Sequence, residues 1–498
     1  MTYEEYFQKF CENDREDVVQ FVSNKEATSF LLENAPRLYC PDREIEETFA
    51  FRTWTMRKHI QKTEVGFLLT EFLTNEQLPW AGKYNTINAG LTHHLNEFRW
   101  LKNADWFLDY IDFFINGDGS VEYSKSAFSY HTPALTAIYQ FCLLTGNEAY
   151  LKNNVEALEK YFEYWEDRHL TLNGLYWSID DREGTEFTIS GTTPEIKSLR
   201  GFRPLLNSCM YGDAVSLAKI FALVHNTEKQ KHYEEKARGI KEKINKKMWD
   251  GEFFKAIHPL DQDLDKEIDY TNIPNELNAR ELMGYIPWAF CVPTQGREKA
   301  FAFLKDSKVF QGKTGFTTAD ISHPRFLYSP EHSVCMWNGH VWPYATSYVV
   351  NAVIALLNEY RQSVLTNEDL YAFIKTYAEM HRSYEDGKWI RFIDEEMFPF
   401  EYKWRVREMA KQGRKIMGGQ NRGKDYNHST FIDLVLKGLC GIASRGNELV
   451  VEPKIQGIWK WFKIENLTVR KQTYTVYYDE DGNVFNKGKG VIVEKQMD

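Results

Sequence analysis

The chain is 498 residues long, 43% hydrophobic and 27% charged, with a net charge of −10 at neutral pH. That apolar share excludes a disordered chain, and the acidic balance excludes a nucleic-acid binder, which needs a basic footprint. Aromatic residues are in excess, with 14 Trp, 28 Tyr and 33 Phe; most read as core, and those beside Gly, Asn or acids read as stacking surfaces for sugar-like rings.

The N-terminus, MTYEEYFQKF, is acidic and has no apolar stretch of signal-peptide type, and no run of 18 apolar residues occurs. The expected compartment is therefore the cytoplasm, with no membrane contact. Seven dispersed cysteines without a CxxC read as reduced thiols, not as a zinc site or disulfide frame. Residues 1–48 read as a partly helical N-terminal extension. From 49 to 448 helical periodicity dominates, with amphipathic runs at 131–146, 153–168, 211–226, 229–249, 346–361, 370–384 and 429–442. Loops rich in Gly, Trp, Asn and acids separate them, the rhythm of paired helices whose loops gather at one end. Residues 449–498 alternate with period two around a DEDGN turn, and read as a small β appendage packed on the helices.

Chemistry is expected in the loops. LPWAGKYNTINAGLTHHLNEFRW (78–100) brings Trp80, Tyr84, Asn85 and Asn88 to a helix start bearing His93 and His94. Adjacent residues leave a helix on different faces, so no two-His metal site is expected. His94 is either a partner for a ligand hydroxyl or a core histidine. WSIDDREGTEFTISG (177–191) crowds Asp180, Asp181, Glu183 and Glu186 beside Trp177. A carboxyl set among apolar or acidic neighbours keeps its proton near neutral pH, as a general acid must; the plainer reading is caps and ion pairs. FRPLLNSCMYGDA (202–214) places Arg203 and Asn207 before a helix expected to start near Tyr211, as a capping loop or with Arg203 paired to an acid of the preceding loop. CMWNGHVWPYATS (335–347) flanks Asn338-Gly339-His340 with Trp337 and Trp342, either a sugar-stacking pair or a buried one. WIRFIDEEMFPFEYKWR (389–405) offers Asp394, Glu395 and Glu396, and MGGQNRGKDYNHSTFID (417–433) offers Arg422, Asp425, Asn427 and His428 before the last helix, which Asn427 or Ser429 caps. Two acidic loops far apart in sequence, with amides, His and Trp between them, are the equipment of glycoside hydrolysis. An inverting enzyme holds its two carboxyls roughly 6.5–9.5 Å apart to admit a water.

Together, PWAGKYNTIN, the REGTE and ISG segments, RPLLNSCMYGDA, WNGHVWPYAT and GKDYNHSTFIDL resemble bacterial glycosidases of the mannosylglycerate-hydrolase-like group, related to glycoside hydrolase family 63 (processing α-glucosidase) and to trehalase. The resemblance runs from about residue 45 into the β tail. It implies a mainly α fold, an (α/α)6 toroid with a small C-terminal β element, an inverting mechanism and no cofactor. It also implies that Glu395 is the general base, because IDEEMFPFEYKW follows the group's E-N-x-x-P-x-T-G pattern at Glu395 and Pro399. Glu396 replaces the Asn of that pattern, and Phe400-Glu401-Tyr402 replaces its end. The general acid falls on REGTE, where Glu183 stands for the group's Asp; Asp181 is the next candidate and Asp180 a further one. The expected substrate contacts are Trp80, Tyr84, Asn85, His94, Glu186, Arg203, Asn207, Trp337, Asn338, Trp342, Asn427 and His428, with Glu186 accepting a hydroxyl or orienting Arg203. The expected function is an inverting exo-glycosidase acting on short α-linked oligosaccharides or glycosides. Two alternatives stay open: a sugar isomerase or epimerase working through His93, His94, His340 or His428, and a catalytically inactive carbohydrate-binding protein, which the Asp-to-Glu departure at 183 would fit.

Overall fold

Helical segments that are apolar all round cannot face water, and here they pack against one another. The computed structural model describes residues 1–496 except 118–119, 121–122, 124–125, 194–197, 260, 269 and 329–333. Leu91–Phe98, Ala134–Thr145, Pro204–Leu223, the 282–289 segment, Pro343–Glu359 and the 431–439 segment each touch the next, and the last returns to the first, closing a ring. Every residue of Leu91–Phe98 is buried, and so is most of Pro204–Leu223. Outside the ring stand Phe107–Ile115, Val155–His169, Thr227–Lys247, the 3-10 turns of Glu298–Lys305, and Asn367–Met380. Each follows its inner partner in the chain and is amphipathic: Thr227–Lys247 buries Tyr233, Ala237, Ile240 and Ile244, one stripe at helical spacing. The sixth outer helix comes from the chain start, where Arg43–Met56 packs on both Asn367–Met380 and the 431–439 segment. The fold is thus an (α/α)6 toroid.

Three boundaries differ from the sequence reading. The helix expected near Tyr211 begins at Pro204, since proline at the first helical position loses no hydrogen bond and has its φ already set. The division at 48/49 falls inside Arg43–Met56, and the one at 448/449 inside the hairpin of Ile442–Arg445 and Glu448–Val451. The two ends of the chain also share one sheet. Arg37–Tyr39 pairs antiparallel with Trp461–Val469, which continues to Gln472–Asp479 and Gly490–Lys495. Arg37 and Glu465 face each other in register and form an ion pair at 3.2 Å. The DEDGN turn is held by Asp479, whose carboxylate accepts the N–H groups of Gly482, Val484 and Phe485. No helix among the described residues is long and apolar enough to cross a membrane.

Candidate active site

Backbone hydrogen bonds gather the loops at one end of the ring. The Glu71 N–H reaches the Asn85 carbonyl (2.8 Å), Trp337 N–H the Glu186 carbonyl (3.1 Å), and Asp425 N–H the Ile393 carbonyl (2.9 Å), while Val341 and Met397 exchange two bonds of 2.9 Å. The 335–342 segment is thereby tied to both 180–190 and 393–428, and Arg422, lying over Phe72 and Trp80, brings in 71–85.

Each acid of the 394–396 triplet has its own guanidinium. Asp394 lies 3.7 Å from Arg407, Glu396 2.9 Å from Arg405, and Glu395 3.1 Å from Arg422. Glu395 is the member that shares an electrostatic environment with Glu71, Glu186 and Tyr426. Arg422 also lies over the rings of Phe72 (5.3 Å) and Trp80 (5.5 Å), so the cation is fixed from three sides.

The four acids of the 180–186 loop do different things. Asp180 is fully buried and organises the loop: it accepts from Thr192 (3.0 Å) and the Asp181 N–H (3.0 Å), and burial raises its pKa to about 6. Asp181 is exposed and accepts from Ser198. Glu183, expected as the proton donor, has both oxygens occupied. Oε2 pairs with Arg203 at 2.7 Å and Oε1 accepts the Leu206 N–H at 3.0 Å, tying the loop to the first turn of Pro204–Leu223. With 1% exposure it has no oxygen turned to a ligand. Arg203 is oriented by Glu183, not by Glu186, and its remaining donors meet Thr185, Thr188, Ser190 and His258. Glu186 is different. It is partly exposed, and desolvation in its recess, followed by the charges of Asp181, Asp180 and Glu395, pushes its pKa up to about 8. The next residue, Phe187, sits at φ 63, a left-handed conformation unfavourable for a bulky side chain, and such strain concentrates at functional positions.

The expected substrate contacts divide. Trp80 keeps a partly exposed ring beside Phe72 and Arg422. His94 and His428 are buried close together (ring centres 5.4 Å apart), each with Nδ1 engaged: His94 with the Tyr110 hydroxyl (2.7 Å) and His428 with that of Tyr426 (2.9 Å). Burial pushes both imidazoles well below the usual histidine value, so both are neutral at pH 7. Asn427 is buried, with its Oδ1 unpaired. Trp337 and Trp342 are a buried stack, 4.4 Å between centres and 1% and 3% exposed, so they stabilise the loop instead of offering an open face. Asn338 donates to the Tyr328 carbonyl at 2.5 Å. Asn207 braces Tyr176 through both its N–H and its carbonyl. Asn85 accepts from the Leu78 N–H and donates to Thr74 and Glu76 carbonyls within its own loop. Tyr84 lies outward, bonded to Glu64 and packed on Phe113.

Sequence reasoning missed Glu71. Its carboxyl is buried, 4.0 Å from His428 Nε2, and burial together with Glu395 holds it well above the usual carboxylate range. The available signal was a lone acid inside the apolar run VGFLLTEFL, where a charge is unfavourable without a role. Among the described residues no group of His, Cys, Asp and Glu is arranged to hold a metal ion.

The sequence profile of the mannosylglycerate hydrolase MGH1-like glycoside hydrolase domain matches residues 83–429. A solved chain described as "Sialidase" superposes with a TM-score of 0.86 at 28% identity, over 99% of this chain and 43% of its own length. The GH63 mannosylglycerate hydrolase from Thermus thermophilus in complex with glucose superposes at 0.52, with 10% identity over 78% of this chain and 99% of its own. A bacterial glucoamylase complexed with acarbose gives 0.53 at 12% identity, over 83% of this chain and 57% of its own. An uncharacterized protein of Borreliella burgdorferi is 24% identical over 222 residues, 44% of this chain and 41% of that one. The chain thus spans less than half the length of the sialidase-described chain and of the Borreliella protein it matches.

Proposed function

The chain belongs to the mannosylglycerate hydrolase MGH1-like glycoside hydrolase family, and on that premise we propose an inverting exo-glycosidase in which Glu186 is the general acid and Glu395 the general base. The observation that carries this assignment is the contrast within one loop. Glu183 is sealed by Arg203 and Leu206, whereas Glu186 is partly exposed, retains its proton up to about pH 8 and feels the charge of Glu395.

In the reaction the Glu186 O–H gives its proton to the glycosidic oxygen as the bond from that oxygen to the anomeric carbon breaks. The Glu395 carboxylate takes a proton from a water that attacks the same carbon from the opposite face. The products are the free aglycone alcohol and a sugar of inverted anomeric configuration. Arg422 fixes the Glu395 carboxyl at 3.1 Å, and Trp80 offers an aromatic face beside it. The proposed substrates are short α-linked oligosaccharides or glycosides. A histidine-driven isomerase finds less support: burial lowers the His93 pKa to about 4 and the His340 pKa to about 3, far from that of an effective base at neutral pH.

The test is a panel of α- and β-linked aryl glycosides and disaccharides, with proton NMR of the first-formed anomer. An α-glycoside should release the β anomer. Net retention would exclude the mechanism. Tight sugar binding without turnover would make the protein a carbohydrate-binding relative of the enzymes.

A further inference from the structure

The 335–342 segment touches both sides of the acid–base pair. Its Trp337 N–H binds the Glu186 carbonyl at 3.1 Å, and its Val341 exchanges two hydrogen bonds with Met397, two residues past Glu395. Between Glu395 and Met397 stands Glu396, whose side chain turns to the same segment. Glu396 Oε1 accepts from Arg405 Nη1 at 2.9 Å, and that nitrogen also donates to the Val334 carbonyl. Glu396 Oε2 lies 3.6 Å from His340 Nδ1.

These last two atoms are buried, and neither has a hydrogen-bond partner. Buried polar atoms left unpaired are rare and costly, so two of them side by side belong to one bond. Burial raises the Glu396 pKa to about 8 against the nearby charge of Arg405, and lowers that of His340 to about 3. At neutral pH the carboxyl is therefore a donor, and an imidazole protonated on Nε2 accepts at Nδ1. An approach of roughly 0.7 Å brings the pair to hydrogen-bond distance. The other groups acting on the two are Arg405, Glu395 and the Met336 backbone, and the Phe398 ring packs on the imidazole at 5.3 Å.

Resting on the glycosidase reading above, we infer that Glu396 and His340 are positioning residues: the Glu396 O–H, held by His340 Nδ1, locks the 335–342 segment to the base-bearing loop and so fixes the separation of Glu186 and Glu395. Inversion depends on that separation, because a water must fit beside the base, and a misplacement of about 1 Å can cost roughly 10²-fold. Neither residue meets the sugar in this role, so the effect falls on kcat and spares KM.

The experiment is steady-state kinetics of the full chain on the aryl glycoside that the wild type hydrolyses fastest, with near-UV circular dichroism of every variant. His340→Phe keeps a ring and removes the acceptor; kcat should fall roughly tenfold or more, with KM within about twofold. His340→Asn returns an acceptor near the Nδ1 position, and Glu396→Gln keeps both a donor to His340 and an acceptor for Arg405; each should hold kcat within about threefold of wild type. Where His340→Phe does not fold, His340→Ala carries the same expectation. A folded His340→Phe with wild-type kcat, or a His340→Asn or Glu396→Gln as slow as His340→Phe, overturns the inference and leaves inverting hydrolysis intact. A raised KM at unchanged kcat also overturns it, and marks His340 as a substrate contact. No turnover by the wild type, or full turnover in Glu395→Gln, takes down the glycosidase reading and the inference with it.

Discussion

Replacing Glu186 by Gln removes a proton donor while keeping its shape. The rise of its pKa from 4.5 to about 8 corresponds to about 5 kcal/mol against the charged form. Below about pH 8 the wild-type carboxyl therefore carries the proton that the leaving group needs. Above that pH, kcat/KM should fall tenfold for each further pH unit, because it reports the free enzyme's acid. In Glu186→Gln this alkaline limb should vanish, and turnover of alkyl glycosides should drop roughly 10²–10⁴-fold, the usual contribution of a positioned general acid. A 2,4-dinitrophenyl glycoside, whose leaving group departs without a proton, should lose far less. The assay is a pH–rate profile of wild type and variant with both substrate types. Persistence of the alkaline limb in Glu186→Gln, or its disappearance in Glu183→Gln instead, would refute the assignment.

Arg203→Met should leave Glu183 buried without its cation and lower stability by about 3–5 kcal/mol, read as a fall in the urea midpoint; Glu183→Gln should lower stability less and leave the shape of the pH–rate profile unchanged. Glu97, Asp213, Asp394 and Glu396 have pKa values raised by burial to about 7, 7, 7 and 8. The folded state then binds more protons than the unfolded one between about pH 4 and 8, and stability falls as pH rises through that window. Asp14, lowered to about 2 where Lys58 and Lys424 offset its burial, contributes stability that is lost below about pH 4. The melting temperature should accordingly peak near pH 4 and be several degrees lower at pH 8.5; a flat profile would contradict these values. A Cβ at Gly90 would lie 2.6 Å from His428 Nε2 and 2.8 Å from His94 Nε2, so Gly90→Ala should force the two rings apart and lower stability by about 1–3 kcal/mol, read from a melting curve.

Period and composition determine much of this protein locally. Apolar stripes at helical spacing specify Thr227–Lys247 and Asn367–Met380, and the period-two alternation with DEDGN specifies the C-terminal hairpin, because burial of one face decides both patterns. The acidic loop at 180–186 is equally visible, since four acids beside Trp are costly without a purpose. What sequence alone could not divide was the labour among those acids. Glu183 and Glu186 are three positions apart and chemically identical. The start of Pro204–Leu223 and the reach of Arg203 decide that the first is an ion-pair partner and the second a partly exposed carboxyl with no cation paired to it among the described residues. Glu71 belongs to the same case: its neighbours Glu395, Arg422 and His428 lie more than 300 residues away along the chain, and only closure of the helical ring brings them to it. A carboxyl's proton affinity is set by what surrounds it in space, and chain order says little about that.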